Sequence, residues 1–273
     1  MGRSTGRVSR GEGMSRPPQV RTRSRPAPPD GYWLGGRHPV AAALADGRVR
    51  RLIVAAGATG LEDTERAARQ AGVPVERVER AELERMAGSD AQGCAAWVRL
   101  LPTVSVDTLI ATCAKRTPAL VVACDHLQDP RNLGAIARTA VAVGAVGLLV
   151  PERRAAPVGP VVERVAAGTL QALSVAVVAN LPDALERFRR ARFWVYGAAA
   201  DGDQRYDRCR MDPRTVLVIG AEDRGLAPLV RRHCDATLRL PLCPPVQSLN
   251  ASAAAAVLLY EWARHYGDRE PHD

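Results

Sequence analysis

Apolar runs and amphipathic segments alternate along the chain from about residue 31 onward, a pattern typical of an α/β protein. In the first half the runs are short. They predict a unit of about 70 residues, which is small for a catalytic domain and suited to a binding module. Its predicted helices are 38–45, 61–71 and 81–86, and its predicted strands are 51–55, 73–78 and 94–100.

The second half has more strongly apolar strands. Residues 120–123 and 216–219 are continuously apolar, which favours a parallel sheet covered on both faces. Strands are predicted at 119–124, 147–150, 174–178, 193–198, 215–219 and 236–240, and helices at 132–143, 158–166, 182–190, 226–233 and 250–265. Because open parallel sheets bind ligands at the carboxyl ends of their strands, polar residues that follow a strand are candidate site residues.

Positive charge is concentrated at the N-terminus. The 273 residues carry a net charge of +9, and residues 1–30 hold +5 of it, from seven arginines against Glu12 and Asp30. This segment is rich in proline and poor in apolar residues, so we expect a disordered basic arm. Such an arm suits a polyanion such as RNA, because each neutralised phosphate releases counterions, while a solvated extension without a role is the open alternative.

Cysteine usage and hydropathy bear on the compartment. The six cysteines are scattered without a C-x-x-C pair, which predicts reduced thiols and no metal site, the His-Cys-Asp run at 233–235 included. No apolar run reaches the roughly 18 residues of a membrane span, and the N-terminus lacks the apolar core of a secretory signal. We therefore expect a cytoplasmic protein with no membrane partner.

The first polar stretch, residues 125–140, follows a predicted strand. Asn132 is the predicted N-cap of the next helix, and Arg138 lies six positions later, about 240° around an ideal helix. The two side chains converge on one ligand only if Asn132 lies just outside the helix and Arg138 reaches back. An arginine in an otherwise apolar helix indicates either a ligand contact or a buried salt bridge.

A second polar stretch follows the strand predicted at 215–219. Gly220, Ala221 and Glu222 begin a glycine-flanked acidic turn, in which Glu222 can accept a hydrogen bond from a base amide, a ribose or an arginine. No G-x-G-x-x-G and no P-loop pattern occurs in the chain, which argues against a dinucleotide enzyme or an NTPase.

A third polar stretch follows the last predicted strand. After Leu240 a proline-rich loop leads into an alanine-rich helix, and Ser248, Asn250 and Ser252 are each able to cap its first turn. Taken alone this is an ordinary helix start, and it gains a functional interpretation only from the two stretches before it.

In this order and spacing, the three stretches resemble the three motifs of the SpoU/TrmH branch of the SPOUT methyltransferases, over residues 119–266. The family's N-x-x-x-x-x-R, G-x-E-x-x-G and S-L-N-x-S are here Asn132 and Arg138; Gly220, Glu222 and Gly225; and Ser248, Leu249, Asn250 and Ser252.

Two further segments resemble members of this family, and two positions depart from its pattern. Residues 35–44 resemble the opening of the L30e-like RNA-binding domain of the rRNA ribose methyltransferases, and residues 231–241 are similar to the subgroup that modifies a guanosine of 23S rRNA. Pro244 stands where the family usually has glycine in the cofactor loop. Ala91 stands where many relatives have the histidine of a His-Gln-Gly turn, which bears on RNA contacts.

The resemblance implies a fold and a division of the chain. We expect a disordered arm over 1–30, a small L30e-like α/β domain over 31–101 and a linker over 102–118. A SPOUT α/β domain with a parallel sheet and a C-terminal trefoil knot would follow over 119–267, with a tail over 268–273.

The resemblance also implies a reaction, the methylation of a ribose 2′-hydroxyl of structured RNA by a homodimer that binds S-adenosyl-L-methionine. Cofactor contacts are then expected from Gly220, Ala221, Leu240, Ser248 and Leu249. Catalysis and substrate positioning are expected to involve Asn132, Arg138, Glu222, Ser248 and Asn250.

Arg138 is expected to act as a phosphate clamp and an electrostatic aid rather than as a general base. Removing a proton from an ordinary arginine at neutral pH costs about 8 kcal/mol. Its planar, bidentate guanidinium suits a phosphate.

Three functions stay open from the sequence. The first is 2′-O-methylation of a guanosine in 23S rRNA. The second is the same reaction on another rRNA nucleotide, including one whose methylation confers antibiotic resistance, or on a tRNA. The third is a non-catalytic RNA-binding or ribosome-assembly factor, which only Pro244 supports.

Overall fold

The computed structural model describes residues 1–2 and 30–267. Almost all of the predicted basic arm and the whole predicted tail therefore lie outside the described residues. The rest of the chain forms two sheets, one on each side of residues 100–118, and the predicted domain boundaries stay predictions.

The first sheet has four strands in the order β1-β4-β2-β3. Strand β4 is antiparallel to β1 and β2, whereas β2 and β3 are parallel. The strands are β1 (Gly31–Gly35), β2 (Val49–Ala55), β3 (Val75–Val78) and β4 (Cys94–Arg99), and the helices are α1 (Arg37–Ala45), α2 (Glu62–Gln70) and α3 (Arg80–Ala87). The sequence pattern predicted every one of these elements except β1, which is short and bounded by glycines.

The second sheet has seven strands in the order β7-β6-β5-β10-β8-β11-β9, and all neighbours are parallel, as predicted. The strands are β5 (Ala119–Cys124), β6 (Gly147–Pro151), β7 (Ser174–Val178), β8 (Trp194–Ala198), β9 (Gln204–Arg205), β10 (Arg214–Ile219) and β11 (Ala236–Arg239). The two-residue strand β9 was not predicted. It carries too few residues for a recognisable pattern.

Helices cover both faces of this sheet, which explains its continuously apolar strands. The helices are α4 (Val106–Ala114), α5 (Pro130–Ala142), α6 (Pro160–Val165), α7 (Leu181–Arg190), α8 (Pro228–Arg232) and α9 (Ala251–Tyr266). Helices α5, α6 and α9 share one apolar core, and α4, α7 and α8 share the other. No helix within residues 30–267 is long and apolar enough to cross a membrane.

The direction of winding reverses between β5 and β10. Strands β6 and β7 lie on one side of β5, whereas β8, β11 and β9 lie on the far side of β10. In open α/β sheets such a reversal leaves a crevice at the carboxyl ends of the strands, which is where ligands bind. The loops after β5 and β10 carry the first two polar stretches of the sequence.

A buried ion pair joins the two sheets. Arg48, 4% exposed, donates through Nη2 to Glu163 Oε2 at 2.5 Å and through Nη1 to Oε1 at 3.1 Å, and Glu163 on α6 is 0% exposed. The Tyr32 hydroxyl donates to the same Oε1. Burial raises the pKa of the Tyr32 phenol, and the charge of Glu163 raises it further. The first sheet is therefore held to the second by a desolvated polar cluster.

Candidate active site

A cavity of about 420 Å³ opens at the carboxyl ends of the adjacent strands β10, β8 and β11. This volume lies within the range of small-molecule and cofactor sites. One part of the wall is apolar, with Ile219, Leu238 and Leu258. The rest of the wall includes the residues predicted to bind a cofactor, together with the acidic residue of the second motif: Gly220, Ala221, Leu240, Ser248, Leu249 and Glu222.

The turn after β10 presents Glu222 to this cavity. Ala221 and Gly225 close the turn with two backbone hydrogen bonds, at 3.0 and 2.9 Å, and Gly225 has a φ of +63°. A Cβ on Gly220 would lie 2.3 Å from the carbonyl carbon of Gly225, so only glycine lets the turn fold back this tightly. The carboxylate of Glu222 therefore lies at the exposed tip of a tight turn.

Three polar side chains from the three sequence motifs form one hydrogen-bonded chain. Asn250 donates from Nδ2 to Asn132 Oδ1 at 3.0 Å, and Asn132 donates from Nδ2 to Glu222 Oε1. These residues come from α5, from the turn after β10 and from the start of α9. Each of the two hydrogen bonds thus joins residues that are 90 or more positions apart in the sequence.

The cap of α9 determines which atoms donate and which accept along these two hydrogen bonds. The Oδ1 atom of Asn250 accepts from the backbone nitrogens of Ser252 at 2.9 Å and Ala253 at 3.4 Å. Its Nδ2 must therefore be the donor to Asn132, which leaves the Asn132 amide to donate to Glu222. A helix cap thereby fixes Glu222 as an acceptor.

The start of α5 differs from the prediction. The helix begins at Pro130, and its N-cap is Asp129, which accepts from Arg131 N at 2.8 Å. The prediction that Asn132 caps the helix is wrong, because an aspartate followed by proline is a stronger start signal than an asparagine three positions after that aspartate. Asn132 instead lies inside the first turn, 9% exposed, with its amide directed at Glu222.

Arg138 lies apart from the other motif residues. It is exposed on α5, it is not part of the cavity wall, and it has no hydrogen bond or ion pair with any residue in 30–267. The alternative of a buried salt bridge is therefore wrong. Because Asn132 is helical, the condition for the two side chains to converge within one chain is not met.

Of the three residues predicted as possible caps of α9, only one is its N-cap. Asn250 is the N-cap of α9, and Ser252 Oγ donates to its Oδ1 at 2.6 Å. Ser248 is exposed and faces the cavity. Pro244, which departs from the family pattern, is exposed and does not line the cavity.

Sequence reasoning missed one side of the cavity. The end of β8 and the loop after it contribute residues 198–201, and Arg231 from α8 donates to both carboxylate oxygens of Asp201 at 2.8 Å. This hydrogen bonding lowers the pKa of Asp201. The position of β8 between β10 and β11 is what brings this loop to the site, and no local pattern encodes that order.

The buried thiols are not candidate nucleophiles. Burial raises the pKa of Cys94 and Cys113 to about 11 and that of Cys124 and Cys234 to about 12, which keeps them protonated at neutral pH. All six cysteines are free. No cysteine of the described residues lines the cavity, and its polar side chains carry carboxylate, hydroxyl, amide and guanidinium groups.

Comparisons with known proteins identify the family. The profile of the SpoU rRNA methylase family matches residues 119–260, and that of the RNA 2′-O ribose methyltransferase substrate-binding domain matches residues 33–103. A protein of Mycolicibacterium vanbaalenii named as an uncharacterized tRNA/rRNA methyltransferase is 40% identical over 235 residues, which is 84% of this chain and 75% of the relative.

Solved structures of the same kind are similar over most of the chain. The SpoU methyltransferase AviRb from Streptomyces viridochromogenes, in complex with the cofactor AdoMet, has a TM-score of 0.73 at 28% identity, over 86% of this chain and 90% of that one. A putative RNA methyltransferase of the TrmH family from Porphyromonas gingivalis has a TM-score of 0.69 at 26% identity, over 86% and 90%. The chain therefore belongs to the SpoU rRNA methylase family and is an RNA methyltransferase that uses S-adenosyl-L-methionine.

Proposed function

We propose that this enzyme methylates the ribose 2′-hydroxyl of a guanosine in 23S rRNA. The observation that carries the proposal is the shared position of Glu222, which lines the cavity and also ends the hydrogen-bonded chain from Asn250 and Asn132. A cofactor cavity and an oriented acceptor side by side are what methyl transfer to a hydroxyl requires.

The cavity residues fit S-adenosyl-L-methionine. The molecule combines an apolar adenine face with polar ribose and amino-acid groups, and the wall combines leucine side chains with Ser248, Glu222 and the turn at Gly220. We infer that Gly220, Ala221, Leu240, Ser248 and Leu249 hold it. When bound, it supplies an electrophilic methyl group on a sulfonium.

The motif side chains then act on the RNA. One oxygen of Glu222 accepts from Asn132, so its second oxygen is free to accept a hydrogen bond from the ribose hydroxyl and orient it. Ser248 is exposed at the same cavity and can bond to the same sugar. These contacts would hold the 2′-oxygen within about 3 Å of the methyl carbon and assist loss of its proton.

Arg138 is proposed as a phosphate clamp. Its exposure leaves the guanidinium free to pair with an RNA phosphate in a planar, bidentate way. An Arg138→Lys variant that keeps full activity and unchanged RNA affinity would count against this role, because lysine retains the charge and loses the planar fork.

Several features support rRNA and a homodimer. The match of residues 33–103 to a substrate-binding domain supports RNA binding by the first sheet, and residues 231–241 resemble the 23S guanosine subgroup.

Exposed Val257 and Tyr260 on α9 support a homodimer in which a second copy of the protein covers this face. The trefoil knot stays a prediction. The proposed substrate also implies a cytoplasmic enzyme.

A tRNA substrate is the second candidate, because the relative from Mycolicibacterium vanbaalenii is named for tRNA and rRNA alike. Mapping ribose methylation in total RNA from a deletion strain separates the two. We expect one 23S rRNA guanosine to lose its 2′-O-methyl group and the purified enzyme with S-adenosyl-L-methionine to restore it. Loss of a tRNA methyl group, with 23S rRNA unchanged, would overturn the proposed target.

A further inference from the structure

A second cavity, of about 320 Å³, opens at the carboxyl ends of β5, β6 and β7. It lies on the other side of the winding reversal from the cofactor cavity. Its wall combines basic side chains with an amide and apolar residues from α7 and α8: His126, Arg153, Arg154, Asn180, Leu181 and Leu229. No carboxylate of the described residues lines it.

The imidazole of His126 is oriented by a buried carboxylate. Asp125 is 1% exposed, and its Oδ2 accepts from Ala227 N at 2.6 Å. Its Oδ1 lies 2.5 Å from His126 Nδ1, while the His126 side chain remains 39% exposed. Because Nδ1 is already held, Nε2 is the ring atom left to contact a ligand in the cavity.

The two arginines have no partner in the fold. Arg153 and Arg154 are exposed in the loop after β6, and neither guanidinium forms a hydrogen bond or ion pair with any residue in 30–267. Other arginines of the same half of the chain, such as Arg189, Arg205 and Arg231, are ion-paired. Two adjacent unpaired guanidiniums at a cavity mouth therefore form a local positive charge with capacity for an anion.

Backbone strain marks the same two loops. His126 and Arg154 both have a φ of +57°, in the left-handed region that residues other than glycine adopt uncommonly. Each lies at the cavity, so strain and positive charge coincide. Such conformations persist where the surrounding structure holds a side chain in a required direction.

The second cavity is adjacent to the cofactor cavity. Leu226 lines the cofactor cavity and the next residue, Ala227, lines the second one; on α8, Val230 lines the second cavity and Arg231 the cofactor cavity. Asp125 itself bonds two residues of the second cavity, Ala227 and His126. An RNA strand with its target ribose at Glu222 would therefore carry a neighbouring phosphate past this cavity.

We propose that the second cavity is a subsite for a backbone phosphate of the RNA strand that carries the methylated nucleotide, with Arg153, Arg154 and His126 as its ligands. The exposed side chain of Leu229 would contact the attached sugar or base. This inference rests on the proposed function for its RNA substrate, and it adds the residues that set the path of the strand next to the target.

The test measures how RNA affinity depends on salt. Labelled 23S rRNA fragment and single-stranded oligouridylate are each titrated with the full chain between about 50 and 200 mM salt. We expect Arg153→Gln/Arg154→Gln to weaken binding of both RNAs about tenfold and to lower the salt slope by about 0.7, the value for one phosphate contact on single-stranded RNA. KM for RNA should rise by the same factor, with kcat unchanged.

Two further variants sharpen the test. His126→Asn removes the imidazole and keeps a residue that tolerates positive φ, so we expect a smaller loss of RNA affinity with the fold intact. Arg116→Gln is the matched control. This exposed arginine precedes β5, at the amino end of the strands and away from the cavity, so its replacement should leave the RNA affinity and the salt slope unchanged. Calorimetric binding of S-adenosyl-L-methionine should be equal in all variants, which also checks folding.

The outcomes separate this proposal from the proposed function. A wild-type salt slope and affinity for both RNAs in the double variant would overturn the subsite, whatever nucleotide is methylated. Loss of cofactor binding in the double variant would also overturn it, since the arginines would then serve the cofactor cavity or the fold. A reduced slope on oligouridylate, with no methylation of any 23S guanosine, would support the subsite and overturn the proposed target instead.

Discussion

Two polar clusters in this protein are each built around one glutamate, and their surroundings are opposite. Glu163, at the junction of the two sheets, is 0% exposed and binds Arg48 and Tyr32 with both carboxylate oxygens. Glu222, at the cofactor cavity, is exposed on a turn and accepts from Asn132 with one oxygen. Both oxygens of the Glu163 carboxylate are bonded within the protein, whereas the Glu222 carboxylate keeps one oxygen free.

This difference separates a positioning role from a chemical one. A buried charge must be fully paired, because removing one partner leaves the other desolvated and alone. The cluster of Glu163 can thus hold two sheets together, and its burial leaves it inaccessible to a ligand. The cluster of Glu222 gains only part of its stabilisation from the protein, so its remaining oxygen can be satisfied by RNA.

The largest effect, a loss of stability, is expected from breaking the Glu163 cluster. Glu163→Ala should lower the free energy of unfolding by about 3–5 kcal/mol, because the Arg48 guanidinium stays buried without its partner. Urea unfolding measures the loss.

The matched control for this variant is Glu76→Ala. It removes an ion pair with Arg51 in which both side chains are about half exposed, so its cost should stay below about 1 kcal/mol. An equal loss of unfolding free energy in the two variants would contradict the role of Glu163 as a buried, fully bonded carboxylate. Replacing Arg48 and Glu163 together by apolar residues should recover much of the stability, since no unpaired charge is then left.

A smaller effect, on activity rather than on stability, is expected from changing the Glu222 cluster. Glu222→Gln keeps an acceptor for Asn132 but removes the charge that orients the ribose hydroxyl. A hydrogen bond to a charged group is worth about 1.5–3 kcal/mol, so kcat should fall roughly tenfold to a hundredfold. The unfolding free energy should change by less than about 1 kcal/mol, because the side chain is exposed.

Methyl transfer from radiolabelled S-adenosyl-L-methionine to rRNA measures this change. Glu152→Gln, which alters an exposed carboxylate after β6, serves as the control and should keep full activity. A large loss of stability in Glu222→Gln, with kcat unchanged, would reverse the contrast between the two clusters.

The sequence predicted most elements and much of the cavity wall. Strand β5 begins and ends where its apolar run does, because a fully buried parallel strand is apolar throughout. The six motif residues expected near the cofactor and at Glu222 do line one cavity, and their roles there stay predictions. Recognition of the family motifs, rather than periodicity, supplied that grouping.

What the sequence did not predict depends on tertiary contacts or on a misjudged local signal. Asp129 and Pro130 were available as a start signal for α5, and the choice of Asn132 overlooked them. The loop after β8 reaches the cavity only through the order of strands, and the direction of the Asn132 amide depends on a cap 118 positions away. The exposure of Arg138 likewise follows from which face of α5 packs against α9.

The smallest expected effect separates the two tasks of Asn250. Asn250→Ala removes the N-cap of α9 and the donor to Asn132, and it should cost about 1 kcal/mol of unfolding free energy along with activity. Asn250→Asp keeps an oxygen for the helix N–H groups, so stability should stay near that of the wild type. A carboxylate cannot donate, however, and either orientation of the Asn132 amide then sets an oxygen against Asp at 250 or against Glu222. Activity should therefore fall in both variants while stability falls only in the first, as urea unfolding and methyl transfer on the same preparations will measure. Full activity in Asn250→Asp would mean that Glu222 is oriented without the cap of α9.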